Sequence, residues 1–125
     1  MNQLTKAEEQ IMQVLWDLKK GYIKDLLDKL PNPKPAYNTV STIVRILEKK
    51  GVIGYTAIGK AHEYFPLITK KQYRLNYFKN FLDNYFGNNY LALTSFFTKE
   101  SDLSVNELEE IKKLIEDEIE LKKLN

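Results

Sequence analysis

The chain has 125 residues, 43% of them hydrophobic, which suits one domain, or one small domain with an appended element, and argues against wholesale disorder. Cysteine is absent, and with it disulfides, thiolate metal sites and cysteine nucleophiles. Net charge is only +2, but residues 1–71 hold 12 Lys/Arg against 7 Asp/Glu while residues 72–125 hold 7 against 10, the pattern of a polyanion-binding head joined to something else.

In chain order, Thr5 and Glu8 form a capping box that opens a first helix. Ala7, Ile11, Val14, Leu15 and Leu18 make its apolar stripe, Met12 and Trp16 widen it, and Gly21 is expected to end it. "YIKDLLDKL" follows as a short amphipathic helix carrying Ile23, Leu26, Leu27 and Leu30. "PNPKP", Pro31 to Pro35, cannot be helical. "YNTVSTIVRILEKKG" then predicts a third helix with Val40, Ile43, Val44 and Leu47 on its core face, stopped by Gly51. Two strand-like runs, "VIGYTAIG" and "AHEYFPL", flank Gly59-Lys60 as a β-hairpin, and Pro66 closes the second.

From Thr69 the composition changes. Tyr73, Tyr77, Phe78, Phe81, Leu82, Tyr85 and Phe86 recur mostly at spacings of three or four. "NNYLALTSFFTKESD" reads as a short helix followed by a polar loop. A second capping box, Ser104 and Glu107, opens a final helix with Leu108, Ile111, Ile115 and Ile119 as its stripe. The boundary between the front unit of three helices and a hairpin and the helical region behind it is placed between residues 70 and 71.

Three helices followed by a hairpin, with polar residues on the outside of the third helix, is the order of a winged helix-turn-helix. Tyr37, Asn38, Thr39, Ser41, Thr42 and Arg45 carry hydrogen-bonding groups and a positive charge where a solvated helix interleaves Glu and Lys. Such a face fits a DNA major groove. Asn pairs with adenine in both directions, Ser and Thr donate or accept, and Arg reaches guanine or phosphate. Lys60 and His62, near the hairpin tip, are expected along the DNA backbone. The alternative of a different class is a winged-helix protein-interaction module that does not touch DNA. Repression and activation are not distinguished by these residues.

The motifs resemble those of a known family. "LTKAEEQIMQVLW" is similar to the opening pattern of the penicillinase and methicillin-resistance repressors, the BlaI/MecI/CopY group. "NTVSTIVRILEKKG" is similar to their recognition helix, at Thr39, Val40, Thr42, Leu47, Lys50 and Gly51. "GKAHEYFPL" resembles their wing. The resemblance covers nearly the whole chain. It departs at Ile46, where the family commonly has Arg while here Arg45 stands one position earlier, and at Glu9, where the family often has Trp.

The resemblance implies a mainly α protein, a winged helix with a C-terminal helical dimerisation arm, acting as a homodimeric repressor on a palindromic operator. The absent cysteines and signal run make a cytoplasmic protein the expectation, and the alternative for the arm is folding back on the chain's own winged helix. Tyr77, Phe78, Phe81, Leu82, Leu108, Ile111 and Ile115 are the expected dimerisation residues, since residues 73–86 offer more aromatic surface than one short helix hides. In the penicillinase branch a membrane-bound sensor metalloprotease releases the repressor by cutting an Asn-Phe bond between arm helices. Ser95-Phe96 is the nearest match, with Ser in place of Asn. The copper-responsive branch uses a C-terminal cysteine cluster, which this chain lacks.

No enzyme chemistry, cofactor or metal site is expected. His62 is the only histidine, the acidic runs lie on helix surfaces, and neither a Gly-rich phosphate loop nor a nucleophile-base pair is present. No stretch of about 18 apolar residues exists to form a transmembrane helix. The N-terminus lacks the apolar run of a secretory signal.

Overall fold

The structure, a computed structural model, describes residues 3–125. Among them, six helices and one hairpin follow in order: α1 (Lys6–Leu18), α2 (Ile23–Lys29), α3 (Tyr37–Lys49), β1 (Ile53–Ile58), β2 (Ala61–Pro66), α4 (Lys70–Phe86), α5 (Tyr90–Glu100) and α6 (Val105–Lys123). The first five elements are the three helices and wing of a winged helix-turn-helix. The chain divides into two compact units, one ending at Phe78 and the other running Lys79–Asn125. The division lies inside α4, so Tyr77 and Phe78 belong to the first unit.

Helix α1 starts where its capping box requires. The Glu8 backbone N–H donates to Thr5 Oγ1 at 3.2 Å and the Thr5 N–H donates back to Glu8 Oε1 at 2.8 Å. Its end differs from expectation. The helix stops at Leu18 because Lys19 turns left-handed, with φ 73°. Gly21 instead lies two residues further on, in an antiparallel bridge with Tyr64. Its N–H donates to the Tyr64 carbonyl at 2.9 Å, and the Tyr64 N–H donates to the Gly21 carbonyl at 2.8 Å. A Cβ at Gly21 would lie 3.3 Å from that of Asp25, so the position needs a small residue for space. This bridge ties the wing to the link between α1 and α2.

Helix α2 ends against a side chain from the proline loop. Lys34 Nζ donates to the carbonyls of Leu27, Asp28 and Leu30 at 3.1, 2.8 and 2.9 Å. A cation there satisfies orphan carbonyls and meets the negative end of the helix dipole. Helix α3 ends in a Schellman motif. Gly51 takes φ 80°, its N–H donates to the Glu48 carbonyl, and the Val52 N–H donates to the Leu47 carbonyl. Only glycine adopts that left-handed turn without steric cost.

The core of this unit joins all three helices to the hairpin. Ile11, Met12 and Leu15 of α1, Leu26 of α2, Val40, Val44 and Leu47 of α3, and Ile53 of β1 are fully or nearly fully buried. Each contributes about 1.5–3 kcal/mol through burial. Met12 is central rather than peripheral, whereas Ala7 is exposed. The start of α4 belongs to the same packing. Trp16 Nε1 donates to the Ile68 carbonyl at 2.9 Å, and its ring lies 5.8 Å from that of Tyr73. Burial, with the Glu9 carboxylate nearby, pushes the Tyr73 hydroxyl up to about 12.

In the second unit α5 is capped by Asn89, and α6 by the box of Ser104 and Glu107. Two expectations are corrected here. Helix α5 runs eleven residues to Glu100, so Ser95 and Phe96 lie inside a helix and not between arm helices. Leu82 is fully buried within the single chain, so it serves the chain's own packing rather than an open face. No helix among the described residues is long and apolar enough to cross a membrane.

Candidate nucleic-acid interface

Polar residues of α3 point away from the core because Val40, Val44 and Leu47 occupy the opposite face. The wing adds its own geometry. β1 and β2 pair with Tyr55 opposite Tyr64 and Ala57 opposite His62, so these four residues share one face of the hairpin. The connecting turn has only two residues. Gly59 takes φ 62° while Lys60 stays at negative φ, the pattern of a type II′ turn, which matches the twist of the strands. Lys60 is therefore held at the extreme tip.

The start of α2, the outer face of α3 and the wing enclose a cleft of about 600 Å³. Tyr37, Asn38, Ser41 and Arg45 line it from α3, and Lys60 and His62 from the wing. Six of the eight sequence-predicted contact residues thus come together. Thr39 does not. It lies on the other side of α3, with Ile43, beside a smaller cavity walled by Pro31, Pro33 and Pro35. Thr42 is exposed on the outer surface of α3 without lining the cleft. Its Oγ1 donates to the Asn38 carbonyl at 2.9 Å, which commits the hydroxyl proton inside the helix. What Thr42 offers outward is acceptor lone pairs and a methyl group, a set that suits an amino-bearing base edge or a thymine methyl.

Five residues complete the cleft that the sequence reading did not select for it: Tyr22, Ile23 and Lys24 at the start of α2, and Ala61 and Tyr64 from β2. Burial pushes the Tyr64 hydroxyl up, with the Glu48 carboxylate adding to it and Arg45 opposing. Lys24, Arg45 and Lys60 place three cations around one cavity, and no carboxylate lines it among the described residues. An unpaired cationic cleft beside a polar helix face suits a phosphate chain passing a base-reading element.

A half-buried ion pair fixes the far end of α3. Glu8 is 3% exposed, and its Oε1 accepts from Lys50 Nζ at 2.8 Å. Burial raises the Glu8 carboxyl, but the Lys50 ammonium and the Thr5 donors outweigh it and hold the group below the ordinary carboxylate value. The first turn of α1 is thereby locked to the C-terminus of α3.

The sequence model of the penicillinase repressor family matches residues 4–117. The chain is 24% identical over 114 residues to the methicillin resistance regulatory protein MecI of Staphylococcus aureus (strain N315), covering 90% of this chain and 93% of that protein. It is 22% identical over 116 residues to a penicillinase repressor of Staphylococcus aureus, covering 92% of each. Among solved structures, one described as a CopR repressor is similar at 25% identity with a TM-score of 0.46, covering 54% of this chain and 99% of that one. With the match spanning both the winged helix and the helical region that follows, the chain belongs to the penicillinase repressor family.

Proposed function

We propose that the protein represses transcription by binding duplex DNA as a cytoplasmic homodimer at a palindromic operator. Outer residues of α3 read bases, and Lys24, Arg45, Lys60 and His62 hold the backbone. The observation that carries this reading is the cleft between α3 and the wing, cationic on several walls and free of carboxylates among the described residues. Charge of one sign with no internal partner is what counterion release exploits.

Dimerisation is supported by the second unit's exposed apolar surface. Tyr85, Leu91 and Phe96 are exposed, as are Ile115 and Ile119 on the α6 stripe. A second copy would cover such faces, and two-fold pairing would match a two-fold operator. In this reading residues 1–70 are the DNA-binding domain and residues 71–125 the dimerisation region, with Phe81, Leu108, Ile111 and Ile115 in contact. Release by a membrane-bound sensor metalloprotease at Ser95-Phe96 then requires local unwinding of α5. That helix is suited to it, because Thr94 and Thr98 turn their hydroxyls back onto the carbonyls of Tyr90 and Thr94.

The test is a salt titration of binding to a duplex from upstream of the protein's own gene. Phosphate contacts predict log affinity falling linearly with log salt, by about 0.9 per phosphate neutralised. Binding that is absent, or indifferent to salt, would falsify the reading.

A further inference from the structure

His62 does not stand alone at the cleft. Its imidazole lies flat on the ring of Tyr55, with centroids 4.0 Å apart and planes 11° from parallel. Tyr64 closes the group, edge-on to His62 at 6.1 Å and tilted against Tyr55 at 6.1 Å. The hairpin register accounts for this. Tyr55 and Tyr64 face each other across the strands, and His62 is the diagonal neighbour on the same face. Tyr55 does not line the cleft itself, whereas His62 and Tyr64 do. It is 43% exposed, so a substitution there leaves the buried core untouched.

We propose that Tyr55 is a positioning residue of the DNA interface, whose stack on His62 holds the imidazole at the cleft so that the protonated ring adds a phosphate contact. The inference rests on the DNA-binding reading and adds proton dependence to it. Tyr55 from β1 and Tyr64 from β2 pack on His62, and Lys60 from the turn, Tyr37 and Arg45 from α3 and Lys24 from α2 line the same cleft, with the Glu48 carboxylate of α3 acting on Tyr64 without lining it. No carboxylate lines the cleft among the described residues, and a bound phosphate would set an opposite charge against the protonated ring. Histidine is the side chain whose charge changes between about pH 5 and 8. DNA binding should therefore take up a proton in that range.

The experiment measures full-length protein on a labelled duplex from upstream of its own gene, by fluorescence anisotropy, between about pH 5.5 and 8. Wild-type affinity should rise as pH falls, and the salt slope should steepen by about 0.9 at the acid end. Tyr55→Leu, which keeps an apolar cross-strand side chain, should lose about three- to tenfold at acid pH and flatten the pH profile. Tyr55→Phe should behave as wild type, and Tyr55→Leu combined with His62→Gln should be no weaker than His62→Gln alone. Wild-type affinity and pH profile in Tyr55→Leu would overturn the proposal, as would losses that add in the double variant. Either result leaves DNA binding standing, whereas salt-indifferent binding by the wild type overturns the reading beneath it.

Discussion

Replacing Lys50 with Met tests how α3 is anchored. The substitution keeps a long flexible stem but removes the ammonium that donates to Glu8 Oε1 at 2.8 Å. Breaking a fully buried pair by removing one partner costs about 3–5 kcal/mol, and an exposed pair is worth about 0–1 kcal/mol. This pair lies between those limits, because the side chain of Glu8 is 4% exposed and that of Lys50 is 30% exposed. Oε1 keeps its bond from the Thr5 N–H, while Oε2 has no partner among the described residues. Losing one charge-assisted hydrogen bond to a buried carboxylate therefore points to about 2 kcal/mol. For a unit of this size that corresponds to a fall in Tm of about 8–16 °C.

The assay is thermal denaturation of wild type and variant at one protein concentration, since self-association would shift both curves. The pH dependence supplies the sharper check. Glu8 is held below its ordinary value of 4.5 in the folded state, so its contribution is fully present above that value. It is lost as pH falls through the lower folded value. The gap between wild type and Lys50→Met should be widest near neutrality and close once Glu8 is protonated. A gap below about 0.5 kcal/mol, the ordinary effect of a surface change, would refute the reasoning. So would a gap of equal size at neutral and acid pH.

Thr42→Ala should weaken specific binding by about 1–3 kcal/mol while sparing random DNA, measured as the ratio of the two affinities; equal loss on both would show that the side chain reads no base. Gly54→Ala should destabilise by about 1–3 kcal/mol, because the new Cβ would lie 3.0 Å from Phe65 Cζ across the hairpin. Denaturant melts of Gly54→Ala with and without Phe65→Leu check this, the second change relieving most of the first. Truncation after Phe78 should leave a folded monomer with much weaker operator affinity, because it keeps Tyr73 against Trp16 while removing the second unit. A dimer of that fragment in sedimentation would remove the arm from its proposed role.

Two sequence features proved local enough to survive intact. The capping boxes at Thr5 and Ser104 and the glycine stop at Gly51 reappear with the expected hydrogen bonds. Each links residues three to five apart, so the residues that make it are neighbours in the chain. The same holds for the hairpin, whose two-residue turn is written in Gly59-Lys60. Periodicity also separated the inner from the outer side of α3, and with it the four α3 residues that line the cleft.

Tertiary structure alone decided the rest. Gly21 reads as a helix stop, but a partner 43 positions away makes it a bridge to Tyr64, and a single bridge leaves no period in a sequence. Glu8 reads as a capping residue, and only the fold reveals that its second function is to bind Lys50. Tyr55 is one more strand aromatic until the register sets it on His62. Thr39 sits at helical spacing with the contact residues, yet the proline loop claims its side of α3. The sequence by itself determined which elements form and which face of each is apolar, because those depend on contacts within one turn or one strand. The structure decided which polar groups meet, because that depends on how separate elements pack, and packing is not encoded at any fixed spacing.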